Sequence, residues 1–223
     1  MSSGTNSATI PVALEDLQGD KRWINMHERH VAEAKEKEPE LLFVGDSLIQ
    51  LMPQYEVWTE LFEPLHSLNF GIGGDQTQHV LWRLQNGALD YIKPKVIVLL
   101  VGTNNHDHTA DETFEGIEAI IQYITTKIVD AQLVVMAIPP RGQYPNKLRD
   151  KIKSINSALA TLLSAQPPKY PKVEFFDAYG DFVIEDGTIC HTDMYDYLHL
   201  TSQGYQKMCD PLKERIDELL QGK

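Results

Sequence analysis

Five short runs of apolar and β-branched residues, separated by longer stretches of helical spacing, constrain this sequence more than any other feature. The runs are Leu41–Val44, Leu68–Ile72, Val96–Val101, Leu133–Ile138 and Val173–Phe176. They do not alternate apolar with polar residues, which is typical of strands covered on both faces, as in a parallel sheet. The stretches whose composition predicts helices are residues 21–36, 48–62, 77–89, 111–128, 147–164 and 204–220.

The alternation of strands and helices indicates the class of fold. It predicts an α/β protein, a three-layer α-β-α sandwich in which right-handed crossovers connect a five-stranded parallel sheet. No internal repeat, low-complexity linker or change in composition marks a boundary within the chain. We therefore expect a single domain over residues 13–223, with residues 1–12 disordered.

The charge balance and the cysteine count exclude several classes of function. Lys and Arg number 20 and Asp and Glu 32, which gives a net charge of −12. This sign disfavours nucleic acids and anionic membrane surfaces as partners. The longest apolar runs are far shorter than the roughly 20 residues of a membrane helix, and the Ser/Thr-rich start lacks the pattern of a signal peptide. With only 2 cysteines, the sequence predicts a cytosolic protein without a disulfide framework or integral membrane association.

Polar and glycine-rich segments follow the strands at the edge where an open parallel sheet binds its ligands. The first strand is followed by Gly45-Asp46-Ser47-Leu48, the second by Gly73-Gly74-Asp75 and the third by Gly102-Thr103-Asn104-Asn105. The irregular segment before the last helix contains Asp196-Tyr197-Leu198-His199. Because these loops meet at one edge, their side chains are candidates for a shared site.

Ser47 and the Asp196/His199 pair could form a nucleophile with its base. A serine in a sharp turn between a strand and a helix exposes its hydroxyl at the edge of the sheet. Asp196 can hold one imidazole nitrogen of His199 while the other faces Ser47. Each motif alone has a structural alternative, an N-cap for Ser47 and a turn with a packed histidine for the pair. Their occurrence together favours catalysis.

Two further loops could supply donors to an oxyanion. Gly73-Gly74 can present a bare backbone N–H, and Asn104 can present its side-chain amide. A tight turn for the glycines and a cap for Asn104 are the alternatives. The loops together thus contain the groups that acyl transfer requires.

At these residues the sequence resembles the four blocks of the SGNH (GDSL) hydrolases: Gly45-Asp46-Ser47-Leu48, Gly74, Asn104 and Asp196-x-x-His199. Within that superfamily it looks like the catalytic α subunits of the intracellular brain-type platelet-activating-factor acetylhydrolases, from about Asp20 to Leu220. The stretches that carry this likeness are Leu42–Met52, Leu68–Asp75, His79–Leu84, Lys93–Asn105 and Asp193–Thr201.

The resemblance implies a flavodoxin-like fold and calcium-independent hydrolysis of the sn-2 acetyl ester of platelet-activating factor or a related short-chain ester. Carried over by residue, Ser47 is the nucleophile, His199 the base and Asp196 its orienter. The oxyanion hole would consist of the Ser47 amide, the Gly74 amide and the Asn104 side chain. The residues implied to line a narrow acyl pocket are Leu48, Thr103 and Leu198.

The resemblance also implies partners. They are a second copy of the chain in a homodimer, the WD-repeat β-propeller protein linked to lissencephaly and dynein regulation, and organophosphates as covalent inhibitors. Two other functions stay open: a catalytically silent scaffold that binds the propeller, and an SGNH carbohydrate acetylesterase.

No cofactor or metal is expected. The spacing of His106 and His108, with His191 as a third candidate, is not the one that zinc sites usually use. The glycines after the second strand do not match a dinucleotide-binding fingerprint.

Overall fold

A five-stranded, all-parallel sheet with the order β2-β1-β3-β4-β5 forms the centre of the molecule. The structure is a computed structural model that describes residues 5–222. The strands are β1 (Leu41–Gly45), β2 (Leu68–Gly71), β3 (Val96–Leu100), β4 (Gln132–Met136) and β5 (Val173–Phe176). The predicted strands and their parallel pairing are confirmed.

Helices cover both faces of this sheet. They are α1 (Arg22–Glu36), α2 (Ser47–Gln50), α3 (Glu56–Leu61), α4 (Thr77–Arg83), α5 (Ala110–Lys127), α6 (Lys147–Ser164) and α7 (Ser202–Leu220). Helices α1, α4, α5 and α6 pack on one face, and α2, α3 and α7 pack on the other. The three-layer α/β sandwich is therefore confirmed, with the strand order of flavodoxin-like folds.

The strands have no polar face, because the side chains on each face of the sheet pack into a hydrophobic core. In β1, Leu42 and Val44 belong to one buried cluster, whereas Leu41 and Phe43 belong to the other. In β3 all five positions are buried. Burial on both faces explains why the sequence shows continuous apolar runs rather than alternation.

Two predicted helices are shorter than their sequence pattern indicated. The stretch 48–62 divides into α2, a 3-10 turn at Met52–Gln54, and α3. Pro53 cannot donate to a continuing helical ladder, and Tyr55 is extended with φ −117° and ψ 148°. In the stretch 77–89 the α-helix ends at Arg83, and the backbone leaves helical dihedral angles at Asn86 and at Gly87, which has a φ of 107°.

The N-terminal segment differs from the expectation of disorder over residues 1–12, of which residues 1–4 lie outside the described residues. Asn6 caps a 3-10 turn over Ser7–Thr9, and Ala8 is fully buried. The hydroxyl of Thr77 donates to the Ala8 carbonyl at 2.9 Å. A Cβ at Gly116 of α5 would lie 2.8 Å from the same oxygen, so the missing side chain makes room for this segment. The domain boundary at residue 13 stays a prediction.

Within residues 5–222, no helix combines the length and the apolar composition that crossing a membrane requires.

Candidate active site

Ser47 lies in the sharp turn between β1 and α2, at the carboxyl edge of the sheet. Asp46 is the N-cap of α2, and its Oδ1 accepts a hydrogen bond from the Leu48 N–H at 3.0 Å. The cap role that the sequence left open for Ser47 therefore belongs to Asp46. The Ser47 hydroxyl and its backbone N–H stay available at the start of the helix.

Close packing beneath this turn requires Gly45. A Cβ at that position would lie 2.2 Å from the carbonyl oxygen of Leu100 and 2.6 Å from Cγ1 of Ile49. Because real Cβ atoms do not approach backbone so closely, any larger residue would push β1 from β3 and displace the turn.

Ser47, His199 and Asp196 form a continuous chain of hydrogen bonds. Oγ of Ser47 lies 3.0 Å from Nε2 of His199, and Nδ1 of His199 lies 2.7 Å from Oδ2 of Asp196. Since the ring contacts a carboxylate through Nδ1, the tautomer that leaves Nε2 as a proton acceptor is favoured. The structure thus brings together the three residues that the sequence proposed, 152 positions apart for Ser47 and His199.

Hydrogen bonds between its own residues stabilise the turn that carries Asp196 and His199. Oδ1 of Asp196 accepts the backbone N–H groups of Leu198 at 3.0 Å and His199 at 2.7 Å. Tyr197 between them has a φ of 60°. Partial burial alone would raise the pKa of Asp196, but the hydrogen bonds from His199 and Leu198 outweigh it and lower this pKa. Asp196 therefore remains a carboxylate that can stabilise an imidazolium.

Gly74 exposes a backbone N–H in the loop after β2. Its φ is +84°, and a Cβ built there would meet nothing within 4 Å. The N–H of Gly73 is occupied, because it donates to Oε1 of Gln50 at 2.6 Å. Of the two glycines that the sequence offered, only Gly74 has an N–H without an acceptor among residues 5–222.

Asn104 and Asn105 follow β3 and have different roles. Nδ2 of Asn104 donates to the carbonyl of Asp75 at 3.0 Å, which ties its amide to the loop of Gly74 and leaves its second N–H available. Asn105 is buried, and its Oδ1 accepts the N–H of Thr77 at 3.1 Å at the start of α4. Asn104 is thus the donor candidate and Asn105 a structural residue.

The three proposed acyl-pocket residues lie on loops at this edge of the sheet. Leu48 is fully buried in the first turn of α2, Thr103 is 6% exposed after β3, and Leu198 is half-buried. Leu48 directly follows Ser47 in the sequence, and Leu198 directly precedes His199. Their joint role as a pocket stays a prediction.

A buried ion pair beneath the glycine loop was not foreseen from the sequence. Asp75 and Arg83 are both fully buried and lie 2.8 Å apart. The Trp23 indole N–H donates to Oδ1 of Asp75 at 2.6 Å, and Nη2 of Arg83 donates to the carbonyl of Gly45 at 3.2 Å. The pair therefore connects the segment after β2 to the end of β1. Its only sequence signal is an arginine directly after the apolar run Val80–Trp82.

Comparison with known proteins places these residues in a family. Residues 43–207 match the model of the GDSL-like Lipase/Acylhydrolase family, which spans most of the chain and includes Ser47, Gly74, Asn104, Asp196 and His199. The chain belongs to this acylhydrolase family.

Individual relatives agree with this assignment. The acylhydrolase is 55% identical to "Platelet-activating factor acetylhydrolase IB subunit alpha2" of Homo sapiens over 222 residues, 99% of this chain and 95% of the relative. It is 52% identical to subunit alpha1 of Rattus norvegicus, over 97% of this chain and 92% of the relative. Its fold matches a GDSL-like lipase structure from Bacteroides thetaiotaomicron with a TM-score of 0.71 at 20% identity, covering 86% of this chain and 97% of the other.

The buried carboxyl group of Asp46, next to Ser47 in the sequence, has an unusual pKa. Burial, aided by the nearby Asp75 and opposed by the hydrogen bond from the Leu48 N–H, raises the pKa of Asp46 to about 7. Oδ2 of Asp46 is buried without a hydrogen-bond partner among the described residues. Both observations indicate a side chain that is partly protonated near neutral pH.

Asp46→Asn is expected to remove a pH dependence of stability. Because the pKa of Asp46 is raised in the folded state, folding retains a proton that the unfolded chain loses above its ordinary pKa of 3.8. Its contribution to stability is therefore greatest at low pH and falls as pH rises towards the folded value. Between about pH 5 and about pH 8, we expect the free energy of unfolding of the wild type to fall by about 2–3 kcal/mol relative to Asp46→Asn.

The measurement is urea unfolding of both proteins across this range, since asparagine keeps the oxygen that accepts the Leu48 N–H. The exposed Asp107, changed to asparagine, provides a matched control whose curve should run parallel to that of the wild type. A constant difference between wild type and Asp46→Asn at every pH would contradict the shifted pKa.

Among residues 5–222, no group of three His, Cys, Asp or Glu side chains converges as metal ligands would. His108 instead contacts Oγ of Ser7 through Nε2 at 2.9 Å.

Proposed function

We propose that this acylhydrolase is a serine esterase that hydrolyses the sn-2 acetyl ester of platelet-activating factor and related short-chain esters, releasing a lyso-lipid and acetate. The observation that carries the proposal is the Ser47–His199–Asp196 chain of hydrogen bonds, with distances of 3.0 and 2.7 Å, beside the open amide of Gly74. The names of its relatives, acetylhydrolase subunits at 55% and 52% identity, support the acetyl substrate.

The mechanism follows from the positions of these groups. Oγ of Ser47 attacks the acetyl carbonyl carbon, and Nε2 of His199 accepts the hydroxyl proton. The carbonyl oxygen becomes an oxyanion that accepts from the amides of Ser47 and Gly74 and from the side chain of Asn104, each donor contributing about 3 kcal/mol. The protonated His199, stabilised by Asp196, then gives its proton to the lyso-lipid alcohol as the C–O bond breaks.

Water completes the cycle by the same steps. His199 accepts a proton from the attacking water, the acetyl-enzyme collapses through the same oxyanion, and Ser47 recovers its proton as acetate leaves. No step of this scheme needs calcium, in agreement with the family resemblance.

A preference for acetate is proposed to come from Leu48, Thr103 and Leu198. The first two are almost fully buried, so side chains around them have little freedom to yield to a longer acyl group. Overfilling a packed pocket costs about 1–3 kcal/mol, which corresponds to a preference of about fivefold to about 150-fold for the short chain.

The test of this proposal compares acyl length and leaving group in one series. Purified protein should hydrolyse 1-alkyl-2-acetyl-glycerophosphocholine at least about fivefold faster, in kcat/KM, than its 2-butyryl or longer analogues, with a rate unchanged by a calcium chelator. Faster hydrolysis of an acetylated xyloside would favour a carbohydrate acetylesterase. Absence of turnover on every ester, together with a normal melting curve, would favour a scaffold.

The assembly and location of the protein are part of the same proposal. Following the family resemblance, we propose a homodimer, a WD-repeat β-propeller partner and a cytosolic location. Sedimentation of the purified chain at micromolar concentration tests the dimer, and a strictly monomeric species would reject it.

A further inference from the structure

Arg141 lies between the two loops that carry the proposed catalytic groups. It follows β4 at the carboxyl edge of the sheet and is half-buried. Its Nη1 donates to the carbonyl of Thr103 at 3.0 Å and lies 3.2 Å from the hydroxyl of the same residue. The N–H of the next residue, Gly142, donates to the carbonyl of Tyr197 at 2.7 Å. Arg141 thus adjoins both the loop after β3, which carries Thr103 and Asn104, and the turn of His199.

One edge of the Arg141 guanidinium is unused. Among residues 5–222, Nε and Nη2 have no acceptor, and no carboxylate oxygen forms an ion pair with the group. Neither atom is sealed from water, since the described buried atoms without partners belong to His27, His30, Asp46 and Arg83. The Nε–Nη2 edge carries two parallel N–H groups, the geometry that matches paired oxygens of a phosphate or carboxylate.

The backbone beneath Arg141 is fixed. Its carbonyl accepts from Nδ2 of Asn146 at 2.9 Å and from Nε of Arg149 at 3.1 Å. The Arg149 side chain also donates to the carbonyls of Gly142 and Gln143. Because the Arg141 backbone is held and Nη1 is bonded to Thr103, the side chain loses little conformational freedom when an anion binds to its free edge.

Among the described residues, no carboxylate forms an ion pair with the positive charge of Arg141. Partial burial lowers its pKa, while the carboxyl groups of Asp46 and Asp196 raise it. Neither carboxyl group contacts the guanidinium, because Asp196 bonds to His199 and Asp46 bonds to the Leu48 N–H. In a chain of net charge −12, a half-buried arginine with an open edge is suited to an anionic ligand.

We propose that the free edge of Arg141 binds the phosphate of the substrate's leaving alcohol and thereby selects phosphate-bearing acetyl esters. This inference rests on the proposed function, because in a glycerophospholipid the phosphate is attached to the carbon next to the one that bears the acetyl ester. Arg141 is then a specificity-determining residue, and the chemistry at the carbonyl remains with Ser47 and His199.

The experiment compares two acetyl lipids that differ only in the phosphate headgroup: 1-alkyl-2-acetyl-glycerophosphocholine and 1-alkyl-2-acetyl-glycerol, both in mixed micelles of neutral detergent. For Arg141→Gln, we expect kcat/KM on the phospholipid to fall about 10- to 100-fold, mainly through KM, because a charge-assisted contact is lost. On the neutral lipid the change should stay below about threefold. Arg141→Lys keeps the charge but not the paired donors, so it should recover only part of the loss.

A purely structural role of Arg141 predicts a different result. Loss of its bond to Thr103 would reduce hydrolysis of both lipids equally and mainly through kcat, and that outcome would overturn the proposal. Lys147→Gln removes an exposed positive charge nearby and should leave both rates unchanged. If Arg141→Gln does not fold, as judged by its melting curve, the comparison is made with Arg141→Lys, for which at least about a threefold selective loss is expected.

A competition measurement identifies the anion. Inorganic phosphate should inhibit hydrolysis of p-nitrophenyl acetate by the wild type, with an inhibition constant at least about tenfold higher for Arg141→Gln. If Arg141→Gln instead weakens inhibition by acetate and leaves inhibition by phosphate unchanged, the free edge of Arg141 binds the product acetate, and the proposal is overturned. Wild-type protein that hydrolyses neither lipid would reject the proposed function itself, a result distinct from equal loss on both.

Discussion

Ser47→Ala is expected to lower kcat/KM for p-nitrophenyl acetate by about 10⁴-fold or more while the protein remains folded. In the proposed mechanism this hydroxyl attacks the carbonyl, so the rate that remains without it would come from the oxyanion donors and substrate binding. The fold should persist because Asp46, not Ser47, caps α2. Initial rates, with active protein quantified by its melting transition, measure the effect.

Ser154→Ala provides the matched control. Ser154 is an exposed serine on α6 whose hydroxyl, within residues 5–222, donates only to the carbonyl of Asp150. We expect it to retain full activity. A Ser47→Ala protein that keeps more than about a tenth of the wild-type rate would show that another residue is the nucleophile.

Arg83→Met is expected to cost about 3–5 kcal/mol of stability, because it leaves the Asp75 carboxylate buried without its counter-ion. Burial raises the pKa of Asp75 and Arg83 opposes this rise, so removing Arg83 forces the carboxyl group to take up a proton or remain unpaired. For a chain of this size the melting temperature should fall by about 6–20 °C. Thermal and urea unfolding measure the two quantities.

The double variant Asp75→Asn/Arg83→Met tests the reason for this loss. Since neither buried charge remains in it, it should be destabilised by less than the sum of the two single changes. Strictly additive losses would mean that the two side chains do not interact. A loss below about 1 kcal/mol for Arg83→Met would contradict their description as a buried pair.

The layered fold could be predicted because its signals are local. Apolar runs such as Val96–Val101 match β3 within one residue, and the boundaries of α6 at 147–164 agree with the prediction. The predictions are wrong where a backbone constraint or a contact between distant parts of the chain determines the local structure. Helical composition over 48–62 did not reveal the break at Pro53, and the burial of Ala8 depends on the space that Gly116 leaves in a helix more than 100 residues away.

The candidate site was predictable only in part, for a related reason. Ser47, Gly74, Asn104 and His199 follow strands or precede a helix, so the topology of the sheet brings them together. Arg141 also follows a strand, yet nothing in its sequence context separates it from a surface arginine. Its importance depends on which of its nitrogens are bonded and which are open, and only the three-dimensional structure contains that information.

A covalent adduct tests most directly whether Ser47 is the nucleophile. The wild-type protein is treated with diisopropyl fluorophosphate, digested and mapped by mass spectrometry. We predict one phosphoryl group per chain, on Ser47, with loss of esterase activity in proportion to labelling and no adduct in Ser47→Ala. An adduct on any other residue that accompanies the loss of activity, or full inactivation of a protein unlabelled at Ser47, would contradict the account.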